Sequence, residues 1–272
     1  MEGQRKVAEY TPEFRNLDVA GTKIRIASAG SGEPLLMING IGASIEMWEP
    51  LAARLSTGRT LLMFDAPGTG GSAPLRRPLR MRGVARLVLR LLDQLGHSQV
   101  DVLGYSWGGA LAQELAHVGP ERVRRLVLAA TTPGVGAQPP SPLVLAMMSS
   151  PLRYSSPGYL SRVAPFIYGG GARRTGLPAL TRAWGMRPPS LRSYAAQVFA
   201  IATWSSLPWL SRVAAPTLIL QGDDDPLVPA RDARMMAKRL PNAQLRVIPG
   251  AGHLWLLESA PAAAEMIEKF LR

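Results

Sequence analysis

Five residues constrain this chain more than any other feature: Gly104-Tyr105-Ser106-Trp107-Gly108, set between the apolar run VDVL and the helical stretch GGALAQELA. The first run reads as a buried strand, and the alanine- and leucine-rich stretch after it reads as a helix. Side chains at the two flanking glycines would collide with the neighbouring helix and strand, and the serine between them is thrust onto a tight bend with its hydroxyl above the sheet edge. At a helix N-terminus that hydroxyl also meets unpaired backbone N–H groups and the positive end of the helix dipole. A bare G-x-S-x-G occurs by chance in many proteins. In a strand–turn–helix setting it points to a nucleophile.

The rest of the chain supplies a sheet for that turn to sit on. Residues 14–27 read as a hairpin turning on Ala20-Gly21. Apolar runs at 35–38, 61–64, 100–103 and 126–130 read as buried strands, with amphipathic helices at 81–95, closed by Gly96, and at 107–118. After Thr132-Pro133-Gly134 the grammar changes. Residues 135 to about 212 are rich in Pro, Ser, Met and aromatics and are broken by Gly169-Gly170-Gly171. Alternation resumes with a strand at 217–220, a helix near 230–239, a strand at 244–248 and a helix at 261–271. The expectation is an α/β fold with a mostly parallel central sheet flanked by helices. Residues 1–134 and 213–272 form its core, and 135–212 are inserted as a mainly helical lid. At 272 residues the chain is long enough to bury a sizeable core.

A serine hydroxyl is a poor nucleophile without a base, and the chain holds only three histidines. His97 and His117 read as helix-terminal residues, favoured there by the dipole. His253 ends the run Pro249-Gly250-Ala251-Gly252, after the last strand and before the final helix. Loops at the carboxyl ends of strands are where an open α/β sheet places reactive groups, so His253 is the expected base. The imidazole needs a carboxylate to hold its tautomer. Asp223, Asp224 and Asp225 follow the strand TLIL, and chemistry alone does not choose among them, since two of the three can serve as turn and capping residues.

An acyl-transfer site also needs two backbone N–H donors for the oxyanion. Trp107, next to the nucleophile, supplies one. The loop Asn39-Gly40-Ile41-Gly42 supplies the other, through Ile41. The tight loop Phe64-Asp65-Ala66-Pro67-Gly68-Thr69-Gly70-Gly71-Ser72 is given a structural role, with Asp65 and the glycines satisfying backbone groups. The chain has no G-x-G-x-x-G, no HExxH and no metal-ligand cluster, so no cofactor and no metal are expected.

A formal charge of +12 invites a nucleic-acid reading. The basic residues argue otherwise, being spread as Arg singles and pairs. The nearest cluster is Arg76, Arg77, Arg80, Arg82, Arg86 and Arg90, of which the last three form one solvated helical stripe. A solvated face is the first reading, attraction to an anionic lipid- or protein-coated particle the second, and nucleic acid is not expected. With no cysteine, disulfides and thiol catalysis are excluded. No apolar run approaches the roughly 20 residues needed to cross a bilayer, and MEGQRKVAEYTPEFRN lacks the apolar stretch of a secretory signal. A cytoplasmic protein is expected.

Taken together, NGIGAS, FDAPGTGGS, GYSWGGALAQELAH, PERVRRLVLAAT, APFIYGG, PTLILQGDDDPLVP and PNAQLRVIPGAGHL resemble the intracellular medium-chain-length poly(3-hydroxyalkanoate) depolymerases of the α/β-hydrolase superfamily. The resemblance runs from about residue 14 to the C-terminus. Its triad motifs are general to the superfamily. Asn-Gly-Ile-Gly where many relatives have His-Gly, the Ser-Trp-Gly-Gly-Ala elbow, and the segments 162–170 and 204–210 are more specific. The resemblance implies a triad of Ser106, Asp225 and His253, in the chain order this class uses. Asp225 matches the superfamily spacing G-x-x-D-x-x-x-P ending at Pro229, with Asp224 second. It further implies hydrolysis of esters in a storage polyester of 3-hydroxy acids, at the surface of cytoplasmic granules.

The middle of the lid, roughly 171–193, departs from the family pattern. Met147, Met148, Phe166, Tyr168, Trp184, Phe199, Trp204 and Trp209 give the lid an apolar interior. Of these, Phe166, Tyr168, Trp204 and Trp209 are the candidates for contact with an apolar acyl substrate. Rival readings keep the same triad: a general carboxylesterase or lipase on small soluble esters, or a hydrolase of carbon–carbon bonds in vinylogous diketones. A non-catalytic ligand receptor or granule coat is disfavoured by the complete triad.

Overall fold

The structure is a computed structural model that describes residues 10–150, 152–176 and 189–272; Trp184 lies outside the described residues. Eight strands form one sheet in the order β1-β2-β4-β3-β5-β6-β7-β8. β1 (Glu13–Val19) and β2 (Thr22–Ala29) make the expected hairpin, turning on Ala20 and Gly21, both at positive φ. β2 runs antiparallel to β4 (Arg59–Phe64). From β4 onward, through β3 (Glu33–Ile38), β5 (Val100–Tyr105), β6 (Val123–Ala129), β7 (Thr217–Gly222) and β8 (Ala243–Ile248), every pairing is parallel.

Parallel strands need crossover helices, so both faces of the sheet are covered. Side chains alternate between the faces with period two. Leu35, Met37, Leu61, Met63 and Leu103 pack on one side with α1 (Glu49–Leu55) and the C-terminal helix Ala260–Leu271. Leu36, Ile38, Leu62, Phe64 and Val102 pack on the other with α2 (Met81–Gln94) and α3 (Trp107–Val118). Burial on both faces is why these strands read as unbroken apolar runs. In α2, Val84, Val88, Leu91 and Leu92 face inward while Arg82, Arg86 and Arg90 lie exposed on the opposite stripe.

Sequence reading passed over α1 and the 3₁₀ turn Ile45–Trp48 before it. Seven residues are too few to show a helical period, and the one available signal was Pro50 in the first turn. Between β6 and β7 the chain leaves the sheet, and among the described residues this segment forms α4 (Pro142–Ser149), α5 (Leu152–Ser155), α6 (Pro157–Tyr168), α7 (Gly170–Thr175) and α8 (Leu191–Ala202). Ser141, Ser156 and Ser190 cap α4, α6 and α8, each hydroxyl accepting from a backbone N–H in the first turn. Gly134 bridges Ser205, so the two ends of the insertion leave and rejoin the core side by side. The chain then closes with α9 (Ala230–Arg239), α10 (Trp255–Glu258) and α11 (Ala260–Leu271).

Candidate active site

Ser106 lies between β5 and α3 at φ 54°, ψ −120°, in a region a residue with a Cβ rarely occupies. Its surroundings over-determine that conformation. Its N–H donates to the Ala129 carbonyl at 2.9 Å, and its own carbonyl accepts from Thr131 Oγ1 at 2.7 Å. A Cβ at Gly104 would meet the Gly108 carbonyl and Ala112, and one at Gly108 would run into the carbonyls of Ile38 and Asn39. The spacing of the motif is thus a steric requirement of packing α3 against β5 and β3.

His253 Nε2 stands 3.0 Å from Ser106 Oγ, and Nδ1 stands 2.8 Å from Asp225 Oδ2. Imidazole and carboxylate are both buried. The other oxygen, Asp225 Oδ1, accepts from the backbone N–H groups of Leu227 and Val228, each at 2.9 Å. Gln221 Nε2 donates to Oδ2 at 3.1 Å. Three donors besides the imidazole fix the plane of the carboxylate, and Gln221 had no signal in the sequence that would have found it.

The three adjacent aspartates point three ways. Asp223 Oδ1 accepts from Gly250 N at 2.6 Å, bracing the histidine loop. Asp224 accepts from Gly170 N at 2.8 Å and pairs with Arg173 at 2.7 Å, tying down α7 of the insertion. Asp225 alone reaches the imidazole. His97 and His117 are elsewhere: His97 follows α2, and His117 stacks on Trp209 with ring centroids 4.2 Å apart.

The insertion holds the base as well. His253 N donates to the Tyr168 carbonyl at 2.7 Å, and the Tyr168 ring stacks at 6.3 Å from the imidazole. From the core, the Tyr105 hydroxyl donates to the His253 carbonyl at 3.0 Å. Burial raises the Tyr105 pKa well above its ordinary value, reinforced by the Asp225 charge, so this phenol stays a donor. Burial likewise raises Tyr168, against the nearby Arg153 guanidinium, whose Nη1 donates to the Tyr168 oxygen at 3.0 Å.

On the opposite side of Ser106 lies the loop after β3. Gly40 is packed against Ser106 and the Tyr105 ring so closely that a Cβ there would lie 3.4 Å from both. Asn39 accepts from Gly40 N at 3.1 Å and donates to the Ser44 carbonyl at 2.7 Å, bracing the loop. Gly42 N donates to Gln197 Oε1 at 2.8 Å, and Trp107 Nε1 to the Gln197 carbonyl at 3.0 Å, so one residue of α8 grips both sides of the nucleophile. Trp107 is the first residue of α3, where the backbone N–H has no intrahelical acceptor. The loop 64–72 does what the sequence suggested: Asp65, fully buried, accepts from Ile45 N, Gly71 N and Arg25.

Ser106 opens on a cavity of about 510 Å³ walled by Ile41, Trp107, Val135, Leu145, Met148, Ile201 and Leu227, with Thr132 and Asp232 among the few polar members. Of the residues expected to contact the acyl group, none forms part of this wall. Phe166 is 57% exposed, Tyr168 sits beneath the imidazole, and Trp204 and Trp209 pack edge to face against the core. Trp204 Nε1 donates to Glu114 at 2.8 Å. Among the described residues no three His, Cys, Asp or Glu side chains converge as a metal site.

A sequence profile described as alpha/beta hydrolase fold matches residues 33–260. The chain is 46% identical over 262 residues to a poly(3-hydroxyalkanoate) depolymerase of Ectopseudomonas oleovorans, covering 95% of this chain and 92% of that one. It is 31% identical over 231 residues to a putative carbamate hydrolase, RutD, of Pseudomonas savastanoi pv. phaseolicola, covering 81% and 86%. A solved hydrolase from Pseudomonas aeruginosa PA01 superposes with a TM-score of 0.83 at 25% identity, covering 95% and 98%.

Proposed function

The chain belongs to the α/β-hydrolase fold family, and within it to the family of the poly(3-hydroxyalkanoate) depolymerases; from that premise we propose that it hydrolyses ester bonds of such a polyester of medium chain length through an acyl-enzyme on Ser106. The observation that carries this reading is the hydrogen-bonded line Ser106–His253–Asp225 opening on an apolar cavity.

His253 Nε2 takes the Ser106 hydroxyl proton as Oγ bonds to the ester carbonyl carbon. Asp225 holds the remaining ring proton on Nδ1 and stabilises the imidazolium. The oxyanion is held by the backbone N–H groups of Ile41 and Trp107. The carbon–oxygen bond to the alcohol then breaks, and the alcohol leaves with the proton from His253. Water repeats the sequence: it gives a proton to His253, bonds to the acyl carbon, and Ser106 Oγ departs, recovering its proton as the acid is released. No metal or cofactor takes part in these steps.

Residues 135–212 act as the lid. Support comes from the cavity wall, where Val135, Leu145, Met148 and Ile201 are all contributed by this segment. Leu143, Leu152, Phe166 and Leu191 of the same segment are each about half exposed or more, which suits contact with a hydrophobic granule in the cytoplasm. Among the described residues no helix is long and apolar enough to cross a membrane.

The deciding experiment is acid release from a dispersion of medium-chain polyester, run beside p-nitrophenyl butyrate and octanoate. Ser106→Ala is expected to lower kcat on the order of 10⁶-fold with the circular dichroism unchanged. Polymer hydrolysis that survives Ser106→Ala would discard the mechanism. Cleavage of the soluble esters alone would make the protein a small-molecule esterase.

A further inference from the structure

Asp232 stands in the first turn of α9 and is 1% exposed, yet it lines the same cavity as Ser106. Its Oδ2 accepts from Thr132 Oγ1 at 2.9 Å and its Oδ1 from Gln138 N at 3.1 Å. Those two bonds tie α9 to the entrance of the insertion. A neutral asparagine would serve that tie equally well, its oxygen accepting from Gln138 N and its amide donating to Thr132. Burying a carboxylate instead costs solvation, and among the described residues no lysine or arginine forms an ion pair with it. Burial accordingly raises its pKa, helped by the Asp225 charge, while the Gln138 and Thr132 bonds and the charge of Arg231 oppose the rise. The helix N-terminus also favours the anion.

The charge therefore exceeds what the structural tie needs, on a residue that lines the cavity. Two carboxylate oxygens offer about four acceptor positions, of which two are filled. The rest of the wall is largely apolar, contributed by Ile41, Val135, Leu145, Met148 and Ile201. A ligand that fits is an acyl chain with one hydroxyl group along it, since a hydroxyl donor makes a short, charge-assisted bond to a carboxylate.

We infer that Asp232, with Thr132 beside it, is a specificity-determining subsite that accepts a hydrogen bond from a free hydroxyl on the acyl portion of the substrate. The inference rests on the polyester reading. In a polyester of 3-hydroxy acids the residue whose carbonyl bonds to Ser106 has its own 3-hydroxyl free only when it is the residue at the hydroxyl end of the chain; elsewhere that oxygen is esterified. Asp232 thus directs cleavage to that end, releasing short hydroxy acids in preference to cutting within the polymer.

The test uses the methyl ester of a 3-hydroxyoctanoate trimer, with its hydroxyl end either free or capped as the methyl ether, together with p-nitrophenyl octanoate. Wild-type protein is expected to favour the free end by roughly ten- to a hundredfold in kcat/KM, the range of a hydrogen bond to a charged group. Asp232→Asn should bring that ratio to within about threefold of one, mainly through a higher KM for the free-ended trimer. Thr132→Val, which keeps the side-chain shape, should lower the ratio in the same direction and serves if Asp232→Asn fails to fold. A wild-type ratio near one overturns the inference. So does an Asp232→Asn protein in which both trimers slow equally and the ratio stands, the behaviour of a structural tie. Cleavage of p-nitrophenyl octanoate with neither trimer hydrolysed would instead overturn the polyester reading itself, and the subsite with it.

Discussion

The α/β core and the insertion between β6 and β7 differ in how fully they bury their apolar side chains. In the core, strands bury both faces: Leu35, Leu61, Leu103 and Val127 have no exposed surface on one side, and α2 and α3 pack against Val102, Leu126 and Leu128 on the other. The insertion leaves large apolar groups in the open, Leu191 at 69% and Leu143 at 59% among them. It meets the core through apolar side chains of α6, with Leu160, Val163 and Ile167 buried in one cluster with the strands, and through discrete polar contacts. Asp224 holds Gly170 and Arg173, the Tyr168 carbonyl holds His253, Gln197 holds Gly42 and Trp107, and Glu114 holds Trp204.

Those contacts fall beside Ser106, on the His253 loop and on the loop after β3. The difference teaches a division of labour. Ser106 sits where packing around Gly104 and Gly108 leaves its bend little alternative, and much of the cavity wall beside it is built on the inserted segment.

The comparison can be broken hardest at the reacting groups. Beyond the loss at Ser106→Ala, Asp225→Asn should lower kcat about 10⁴-fold by giving His253 the wrong tautomer. Its neighbour Asp224→Asn, which serves the insertion, should cost less than about tenfold. Steady-state kinetics on p-nitrophenyl octanoate compares them, and equal losses would erase the distinction between core and insertion.

Next comes steric packing in the core. Gly108→Ala, with a Cβ driven toward the Ile38 carbonyl, should destabilise by about 1–3 kcal/mol in urea titration. At the seam, Trp204→Phe leaves the buried Glu114 carboxylate without its indole donor. A loss of about 1–2 kcal/mol is expected, and an unchanged urea midpoint would show that the seam carries no stability. The smallest effect belongs to Arg173→Ala. The Arg173–Asp224 pair is half exposed, and its removal should change stability by less than about 1 kcal/mol, less still in high salt.

Much of the core was legible because its demands are local. The hairpin, the parallel strands and the helices at α2 and α3 follow from period and turn chemistry over a few residues. The elbow at Ser106 was legible for the same reason, its glycines being needed by contacts within one strand–helix unit. His253 stood out because only one of three histidines follows a strand's carboxyl end. Helix α1 was missed for want of length, and Gln197 and Gln221 because an amide at a hydrogen-bond junction carries no pattern of its own. Most of the insertion's aromatics were read as its interior, with Phe166, Tyr168, Trp204 and Trp209 the candidates for acyl contact, from their chemistry alone. In the structure Trp204 and Trp209 face the core, and aliphatic and methionine side chains line the cavity instead.

The sequence by itself determined the sheet, the bend at Ser106 and the carboxyl-end loops that bring a histidine and aspartates near it, because each depends on neighbours a few positions away. Only the tertiary structure decided which residues wall the cavity and that Asp232 shares that wall with Ser106. These depend on side-chain direction across segments far apart in the chain, Ser106 and Asp232 among them, which no local pattern reports.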